Sequence, residues 1–462
     1  MNRSRLLTAL SLIGILALVL ASCAQPTPTA KPEEKEEPAQ EATPIAEEKV
    51  TITVWDFGGS ESAWLDSIAI PAFQEAFPNI EINHVGVPEE ELGLKLETAI
   101  AAGEVPDLAI FVPSRVVKAG HILFLDDYMK RDGLSRDDYC SLFASRDVME
   151  DKVYALPIDT NIWAMMYNKD LFAEAGLPEL GPDDVVTYDD WLVYARAINK
   201  PADTLEERVW GSAFFEPAWN SMGNYMSDPY ILGDDGRTCL GNAETDDWLH
   251  FWEIALTAYD EDLTTQTAGA LLADVEEDMF TQGKLGMTYA ALGDAIYAKQ
   301  NGINVGLTGQ PVVSDGWDGN VGGWNGDYSI LAATEHPEEA WQFLKWLSTE
   351  APKIVPLGTD ALDAGAGSGI PGLPCYLPLL EYGEIADMVE SEALVADGVK
   401  LMRRVKAPPF TVDLWGSVDP FSEAFRRITE DREDIAVAVG DAAQECQDIT
   451  DELWEGWDAL SE

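Results

Sequence analysis

The stretch from Tyr154 to Lys169 constrains this chain more than any other. Pro157 stands near its start, a polar triplet follows, and an apolar, aromatic and thioether-rich run completes it. Proline fixes one φ angle and lacks a backbone donor, and a continuous apolar run predicts a buried strand. We predict that this strand crosses between two lobes and presents Asp159, Asn161 and Trp163 to a ligand.

Strands and helices alternate before that stretch. The pattern predicts strands over 50–55, 80–87 and 105–112, with helices over 64–77 and 89–102. This alternation is typical of a doubly wound α/β lobe, in which ligand loops lie at the carboxyl ends of the strands. On that rim we place five candidate ligand-binding residues: Trp55, Asp56, Ser60, Ser114 and Arg115.

The second half of the chain continues the α/β pattern. It is predicted to contain a capping box at 187–190, strands over 210–215 and 285–290, a Gly-, Asp- and Trp-rich loop over 313–327, a helix with proline at its first position, 337, and an aromatic loop over 408–420. A Thr followed three residues later by a carboxylate, and a proline at the first helical position, are both typical helix starts.

Aromatic and hydrogen-bonding residues recur together at the predicted strand ends. Sugars require this mixture, because their apolar C–H faces lie on flat rings while their hydroxyls bond to Asp, Glu and Asn. The further candidate ligand-binding residues are Glu216, Trp219, Asn220, Asp294, Trp324, Asn325 and Trp415. Other tryptophans, at 191, 248, 252, 341 and 346, recur at helical spacing and are predicted to be core.

The N-terminus has the features of a secretory signal. Arg3 and Arg5 precede an apolar run over 6–20 and the sequence LASC, which ends at Cys23. This order indicates an exported protein, and it resembles the bacterial lipoprotein signal, which implies removal of 1–22 and acylation of Cys23. Residues 24–49 are rich in Pro, Glu and Ala without apolar periodicity, so 23–49 is predicted to be a disordered tether. We expect an extracytoplasmic protein anchored to the cell membrane by its N-terminal lipid.

Four further cysteines, Cys140, Cys239, Cys375 and Cys446, would lie in an oxidising compartment. Two disulfides are therefore expected. Four cysteines allow three pairings, and the sequence does not choose among them. Buried free thiols are the alternative.

Charge and motif content exclude several function classes. The chain has 83 acidic and 29 basic residues, a formal net charge of −54, which argues against binding to nucleic acid. Its 4 histidines lack metal-ligand spacing, and no Walker A or nucleophile-elbow motif is present. We expect no cofactor and no metal. A carboxylate pair suited to glycoside hydrolysis stays open, since the test is a separation in space.

The order of these motifs resembles the extracellular solute-binding proteins of ABC transporters, in the carbohydrate-binding family that includes maltose-binding protein. Five segments carry the resemblance: 52–55, 99–108, 154–172, 322–333 and 336–344. The resemblance implies an α/β, type II periplasmic-binding fold with two discontinuous lobes joined by a hinge and a ligand cleft between them. The implied boundaries are 50–156 with 328–368 for the first lobe and 157–327 with 369–462 for the second.

The resemblance also implies a function without catalysis. A monomeric, lipid-anchored receptor would capture a sugar or oligosaccharide by lobe closure and deliver it to an ABC transporter permease. Asn161 and Glu216 fall on cleft carboxylates of the family, and Trp219 falls on a stacking aromatic. Asn161 replaces an acid, and Leu292 stands where a stacking tryptophan is expected, so the identity, length and anomeric form of the sugar stay open.

Two other readings remain. The same fold binds other solutes, such as polyamines, whose charge suits carboxylates and tryptophans, or glycerol phosphate, for which only Arg115 is well placed. An extracellular glycoside hydrolase is the second alternative.

Overall fold

The computed structural model describes residues 49–57, 63–213, 231–233, 235–265, 276–313, 321–355, 372–405, 410–412 and 414–460. The predicted signal, Cys23 and all but the last residue of the tether lie outside the described residues, as do Ser60, Glu216, Trp219 and Asn220. Within these ranges, no helix is long and apolar enough to cross a membrane.

Ten strands are defined in the described part of the chain. They are β1 (Val50–Asp56), β2 (Ile80–Gly86), β3 (Leu108–Ile110), β4 (Val148–Met149), β5 (Lys152–Val153), β6 (Leu156–Asn168), β7 (Trp210–Ser212), β8 (Leu285–Ala291), β9 (Val305–Thr308) and β10 (Gly322–Ile330).

Fifteen α-helices are defined in the same part of the chain. They are α1 (Ile70–Ala76, after a π-helical turn at Leu65–Ala69), α2 (Glu89–Ala102), α3 (Ser114–Lys118), α4 (Asp126–Asp132), α5 (Phe143–Arg146), α6 (Lys169–Ala175), α7 (Tyr188–Ile198), α8 (Asp246–Asp260), α9 (Glu276–Thr281), α10 (Leu292–Gln300), α11 (Pro337–Thr349), α12 (Gly383–Ser391), α13 (Ala393–Met402), α14 (Leu414–Thr429) and α15 (Ile435–Ala459). Short 3₁₀ turns occur at Arg136–Asp138, Ala351–Lys353 and Leu377–Glu381.

The main sheet has the order β2-β1-β3-β10-β6-β8-β7, and β9 also pairs with β6. β1 runs parallel to β2 and β3, whereas β10 runs antiparallel to β3 and β6. β6 in turn is antiparallel to β8 and β9. The mixed strand directions follow from two long strands that run against their neighbours and join the two halves of the sheet.

β6 and β10 form the ribbon at the centre of the sheet. Their pairing extends from Leu156, opposite Tyr328, to Trp163, opposite Gly322, with a β-bulge between Gly326 and Asp327. Beyond this ribbon, the end of β10 pairs with β3 and the end of β6 pairs with β8 and β9. A third segment, 372–376, joins the ribbon where Leu373 exchanges two backbone hydrogen bonds with Thr160, at 2.7 and 2.9 Å.

Several sequence predictions are confirmed. The strand predicted over 50–55 is β1, the helix over 89–102 is α2, and Gly103 ends that helix in the left-handed conformation, with φ 74°. The capping box at 187–190 forms as expected, since Thr187 accepts from the backbone of Asp190 and its own N–H donates to the Asp190 carboxylate. Local patterns determine these elements.

Two predicted loops are wrong in part. Residues 322–327 belong to β10, because they pair residue by residue with β6 and those backbone bonds override the glycine-rich composition. Likewise, α14 begins at Leu414 and contains Pro420. Its apolar side chains, including Phe421 and Phe425, pack against Trp252 of α8, and this tertiary packing outweighs the unfavourable proline.

Two other predicted boundaries shift. The strand predicted over 105–112 shortens to β3, and Ser114 begins α3 where a loop was expected. The predicted strand over 285–290 ends as expected, but residues 293 and 294 then lie in the first turn of α10.

Two disulfides join distant parts of the chain. Cys140 bonds to Cys375 and Cys239 bonds to Cys446. The first holds the 372–376 segment beside the β6–β10 ribbon, where the backbone of Cys140 also donates to the carbonyl of Cys375 at 2.8 Å. The structure thereby selects one of the three possible pairings.

Candidate ligand-binding site

The centre of the candidate site is the ribbon of β6 and β10. In β6, Trp163 is exposed and Asn161 is half-buried, while every other residue of the strand is buried. Trp163 retains 40% of its surface accessible. Since a strand in the middle of a sheet normally buries its large apolar side chains, an exposed tryptophan at this position indicates an opening above the ribbon.

Asn161 lies two residues before Trp163, on the same face of the strand. Its register partner is Trp324 of β10. The side-chain oxygen Oδ1 of Asn161 is buried and has no hydrogen-bond partner among the described residues. A buried acceptor without a donor is uncommon in native proteins, and a ligand hydroxyl is a suitable donor.

Beside Trp163 lie groups from β8 and from the end of β9. Ala291 is its register partner, and the backbone N–H of Ala291 donates to the carboxylate of Asp294 at 2.8 Å. Burial raises the pKa of Asp294. On the other side, Gln310 donates its amide N–H to the carbonyl of Trp163 at 3.1 Å. Asp294 therefore caps α10 at the edge of the site.

Asp159 is buried, with 2% of its surface accessible. Its Oδ1 accepts from the backbone N–H of Gly326 at 3.1 Å, and its Oδ2 accepts from that of Gly372 at 2.8 Å. Burial raises the pKa of Asp159 to about 6, opposed by these N–H groups. Both carboxylate oxygens are buried and bonded to backbone N–H groups, so we do not retain Asp159 among the proposed ligand contacts.

Asp56, at the end of β1, is also buried. It accepts hydrogen bonds from the hydroxyl of Tyr328 and from the backbone N–H of Phe57, the latter at 2.6 Å. Burial and the Asp56 charge hold the pKa of Tyr328 well above its usual value. Trp55 is half-buried, and Lys95 lies 4.8 Å from the centre of its ring. The end of β1 is thereby joined to β10.

Ser114 and Arg115 begin α3, at the edge where β1 and β3 end. Ser114 is half-buried, and the Arg115 side chain is 58% exposed. The Arg115 guanidinium forms an ion pair with Glu97 of α2. This ion pair holds the Arg115 side chain against α2.

Asn325 has a structural environment. It is fully buried and donates its side-chain N–H to the carboxylate of Asp147 at 2.8 Å. Trp324 is placed on β10 and Trp415 in the first turn of α14, but their side chains lie outside the described atoms. We do not retain Asn325 among the proposed ligand contacts, and the other two stay predictions, as do the four residues outside the described ranges.

Three residues at the site were missed by sequence reasoning. Phe57 and Phe111 follow β1 and β3, with ring centres 5.1 Å apart, and Phe111 has a φ of 46°. A bulky residue with positive φ is an outlier that favours a functional position. The third is Gln310. Phe57 lies two positions after the strand predicted over 50–55, so an aromatic residue near a strand end was the available signal for it. Phe111 lies inside the strand predicted over 105–112, and nothing in the pattern singled out Phe111 or Gln310.

The arrangement supplies aromatic rings and hydrogen-bond acceptors on the β6–β10 ribbon and at the ends of β1 and β3. Within the described ranges, no three His, Cys, Asp or Glu side chains are grouped so as to hold a metal ion. Rings beside neutral or acidic acceptors suit a ligand with apolar faces and many hydroxyl donors. The chemistry of the candidate site is therefore suited to a small polar organic ligand.

Comparison with solved structures identifies the fold. The sugar-binding protein MalE from Xanthomonas citri superimposes with a TM-score of 0.70 over 89% of this chain and 100% of that protein, at 17% identity. The structure is thus a type II periplasmic-binding fold, the two-lobed α/β architecture of solute receptors. The prediction of the fold class is confirmed.

Comparison of sequences then identifies the family. Residues 58–354 match the family of bacterial extracellular solute-binding proteins, and the chain belongs to that family. A binding protein of Brucella abortus is 26% identical over 306 residues, covering 65% of this chain and 72% of that protein. The maltotriose-binding protein of Pyrococcus abyssi is 26% identical over 296 residues, 61% of this chain and 59% of that protein.

Proposed function

We propose that this protein is a lipid-anchored receptor that captures a sugar or oligosaccharide by lobe closure and delivers it to an ABC transporter permease. The proposed lobes are 50–156 with 328–368 and 157–327 with 369–462, and the hinge lies in the β6–β10 ribbon. The family consists of binding proteins, and the proposal requires no catalytic step.

The observation that carries the sugar proposal is Trp163. It is an exposed ring in the middle of a strand that is otherwise buried, with the half-buried Asn161 on the same face. A flat ring accepts the apolar face of a pyranose, and an adjacent amide fixes the hydroxyl orientation. The ligand of the Pyrococcus abyssi relative, named as maltotriose, supports the same class.

The position of the candidate site on the ribbon that would join the two lobes supports the proposal of lobe closure. Ligand groups that bind residues of both lobes stabilise the closed state relative to the open one, by the difference in affinity between them. A permease that recognises the closed state would then receive only loaded receptors. Acylation of Cys23 would keep the receptor at the membrane surface beside the permease.

The experiment is a binding screen with a matched pair of variants. Calorimetry and thermal shift are measured with maltotriose, other oligosaccharides and spermidine on the wild type, Trp163→Leu and Tyr382→Leu. Tyr382 is the control because its ring is also exposed, at 49%, but lies outside the sheet. A sugar is expected to raise the melting temperature of the wild type, with binding weakened in Trp163→Leu and unchanged in Tyr382→Leu.

Other outcomes contradict parts of the proposal. Binding of spermidine without binding of any sugar would favour the polyamine reading, and turnover of an aryl glycoside would favour a hydrolase. For the anchor, the full chain is expressed in a bacterial host with a clickable fatty acid. Label that persists in Cys23→Ser would refute acylation at that residue.

A further inference from the structure

Three chain segments meet at one buried carboxylate. Asp159 of β6 accepts a hydrogen bond from Gly326 of β10 and another from Gly372 of the 372–376 segment. We infer that Asp159 is a positioning residue, whose carboxylate fixes the three segments at the crossing and thereby sets where Asn161 and Trp163 lie. The inference rests on the proposed function, since it concerns how the same site is held.

The two glycines are required by this contact. A Cβ at position 326 would lie 2.4 Å from Oδ1 of Asp159. A Cβ at position 372 would lie 2.8 Å from Oδ2 of Asp159 and 2.4 Å from the carbonyl oxygen of Thr160. Since real Cβ atoms do not approach so closely, both backbones reach the carboxylate only because they lack a side chain.

The neighbouring contacts transmit this arrangement to the site. The β-bulge at Gly326 shifts the register, and the next pairs along the ribbon are Thr160 with Asn325 and Asn161 with Trp324. On the other edge, Leu373 bonds to Thr160 in both directions. A change at the carboxylate therefore alters the register beside Asn161 and the ring position of Trp163 beyond it.

The charged and polar groups around Asp159 do not offset the negative charge of its carboxylate. Tyr328 and Asp327 face this region from β10, and Asp56 faces it from β1 through its bond to Tyr328. From α11, Ser348 contributes an uncharged hydroxyl, which donates to the carbonyl of Pro157 at 2.7 Å. No cation in the described part of the chain lowers the pKa of Asp159. Burial raises this pKa, and only backbone N–H groups lower it.

The two protonation states of Asp159 differ in how firmly they hold their donors. Hydrogen bonds to an ionised acceptor are roughly twice as strong as neutral ones, and an ionised group left without donors when buried is strongly disfavoured. The ionised carboxylate therefore forms strong hydrogen bonds with both glycine N–H groups, whereas the protonated form binds them weakly. Ionisation makes the fold less stable and the crossing more rigid.

Because ionisation of Asp159 destabilises the fold but strengthens its hydrogen bonds, a positioning role and a purely stabilising role predict different results. Asp159→Asn keeps the shape and removes the buried charge, but its amide has one acceptor oxygen and an NH2 group, so one of the two glycine N–H groups loses its acceptor. Removal of the buried charge opposes this loss, so the melting temperature is expected to stay near the wild-type value while affinity falls. If Asp159 only stabilised the fold, Asp159→Asn would lower the melting temperature and the affinity together. The matched control is Asp107→Asn, since Asp107 also accepts a backbone bond, from Thr53 at 2.8 Å, and lies away from the crossing.

The test measures maltotriose binding by calorimetry at about pH 5 and about pH 7.5 for the wild type and both variants. The loss of one hydrogen bond and the weakening of the other predict an affinity about fivefold to tenfold weaker for Asp159→Asn at the higher pH. The wild type is expected to weaken by a similar factor toward pH 5. Asp159→Asn is expected to lose this pH dependence, and Asp107→Asn to retain it.

A second readout needs no ligand. Amide hydrogen exchange of peptides covering 322–330 and 372–376 is expected to accelerate in Asp159→Asn and not in Asp107→Asn, because the two glycine N–H groups lose their ionised acceptor. If the wild type binds no sugar, the proposed function fails and the exchange result alone decides the inference. Unchanged exchange, or a parallel loss of melting temperature and affinity in Asp159→Asn, would overturn it.

Discussion

Replacing Asn161 with alanine separates ligand binding from folding at one position of β6. The buried Oδ1 of Asn161 has no hydrogen-bond partner among the described residues, so replacing Asn161 with alanine breaks no hydrogen bond made by this atom. The free energy of unfolding is expected to stay within about 1 kcal/mol of the wild type or to rise, because an unsatisfied buried acceptor is itself destabilising. Binding loses one hydrogen bond, about 0.5–1.5 kcal/mol, which weakens the Kd about two- to twelvefold.

The matched control for this change is Thr160→Val. The hydroxyl of Thr160 is likewise buried without a partner in the described part of the chain, but it lies on the opposite face of the strand. Calorimetry with the sugar that binds the wild type gives the Kd, and urea unfolding gives the stability. Equal affinity in Asn161→Ala and the wild type, or a loss of stability above about 2 kcal/mol, would refute the assignment of Asn161 as a ligand contact.

Three further predictions concern stability, each measured by urea unfolding. Gly326→Ala is expected to lower the free energy of unfolding by about 1–3 kcal/mol through the clash with Asp159. In the control Gly456→Ala on α15, a Cβ meets nothing within 4 Å, and the free energy of unfolding is expected to rise by up to about 1 kcal/mol. Equal effects would contradict the close approach at Gly326. Because burial raises the pKa of Asp159 from 3.8 to about 6, its protonated form stabilises the fold at low pH and this stability is lost as the pH rises through about 6. The wild type should therefore lose about 1.4 kcal/mol more than Asp159→Asn between about pH 5 and about pH 7.5, and a constant difference between them would argue against the shift. Replacing Cys140 and Cys375 together with serine should lower the free energy of unfolding by about 2–5 kcal/mol, and an unchanged value would mean that the disulfide does not form.

Much of the fold could be predicted because local patterns carry it. The alternation of β1, the glycine that ends α2 and the capping box of α7 each depend on residues within a few positions of one another. The buried strand β6 follows from its continuous apolar run, and Pro337 at the start of α11 from the backbone that proline prefers. These features, in order, were sufficient to indicate the family.

The candidate site could be predicted only in part, because strand-end position does not determine side-chain orientation. Asp159 and Asn161 are two residues apart in one strand, yet the carboxylate is bonded inward to two glycines while the amide oxygen lacks a partner. Asn325 turned from a loop residue into a buried strand residue bonded to Asp147. The outcomes for Asp159 and Asn325 each depend on partners more than a hundred residues away.

The sequence by itself determined the α/β class, the buried strand within 154–169 and the choice of Asn161 and Trp163 as ligand candidates. Only the tertiary structure decided which disulfide partners meet, that residues 322–327 are a strand, and that Asp159 accepts hydrogen bonds from Gly326 and Gly372. The physical reason is the range of the interactions. Helix caps and apolar periodicity act within a few residues, whereas the burial of a carboxylate and the pairing of β6 with β10 arise only when distant segments of the chain pack together.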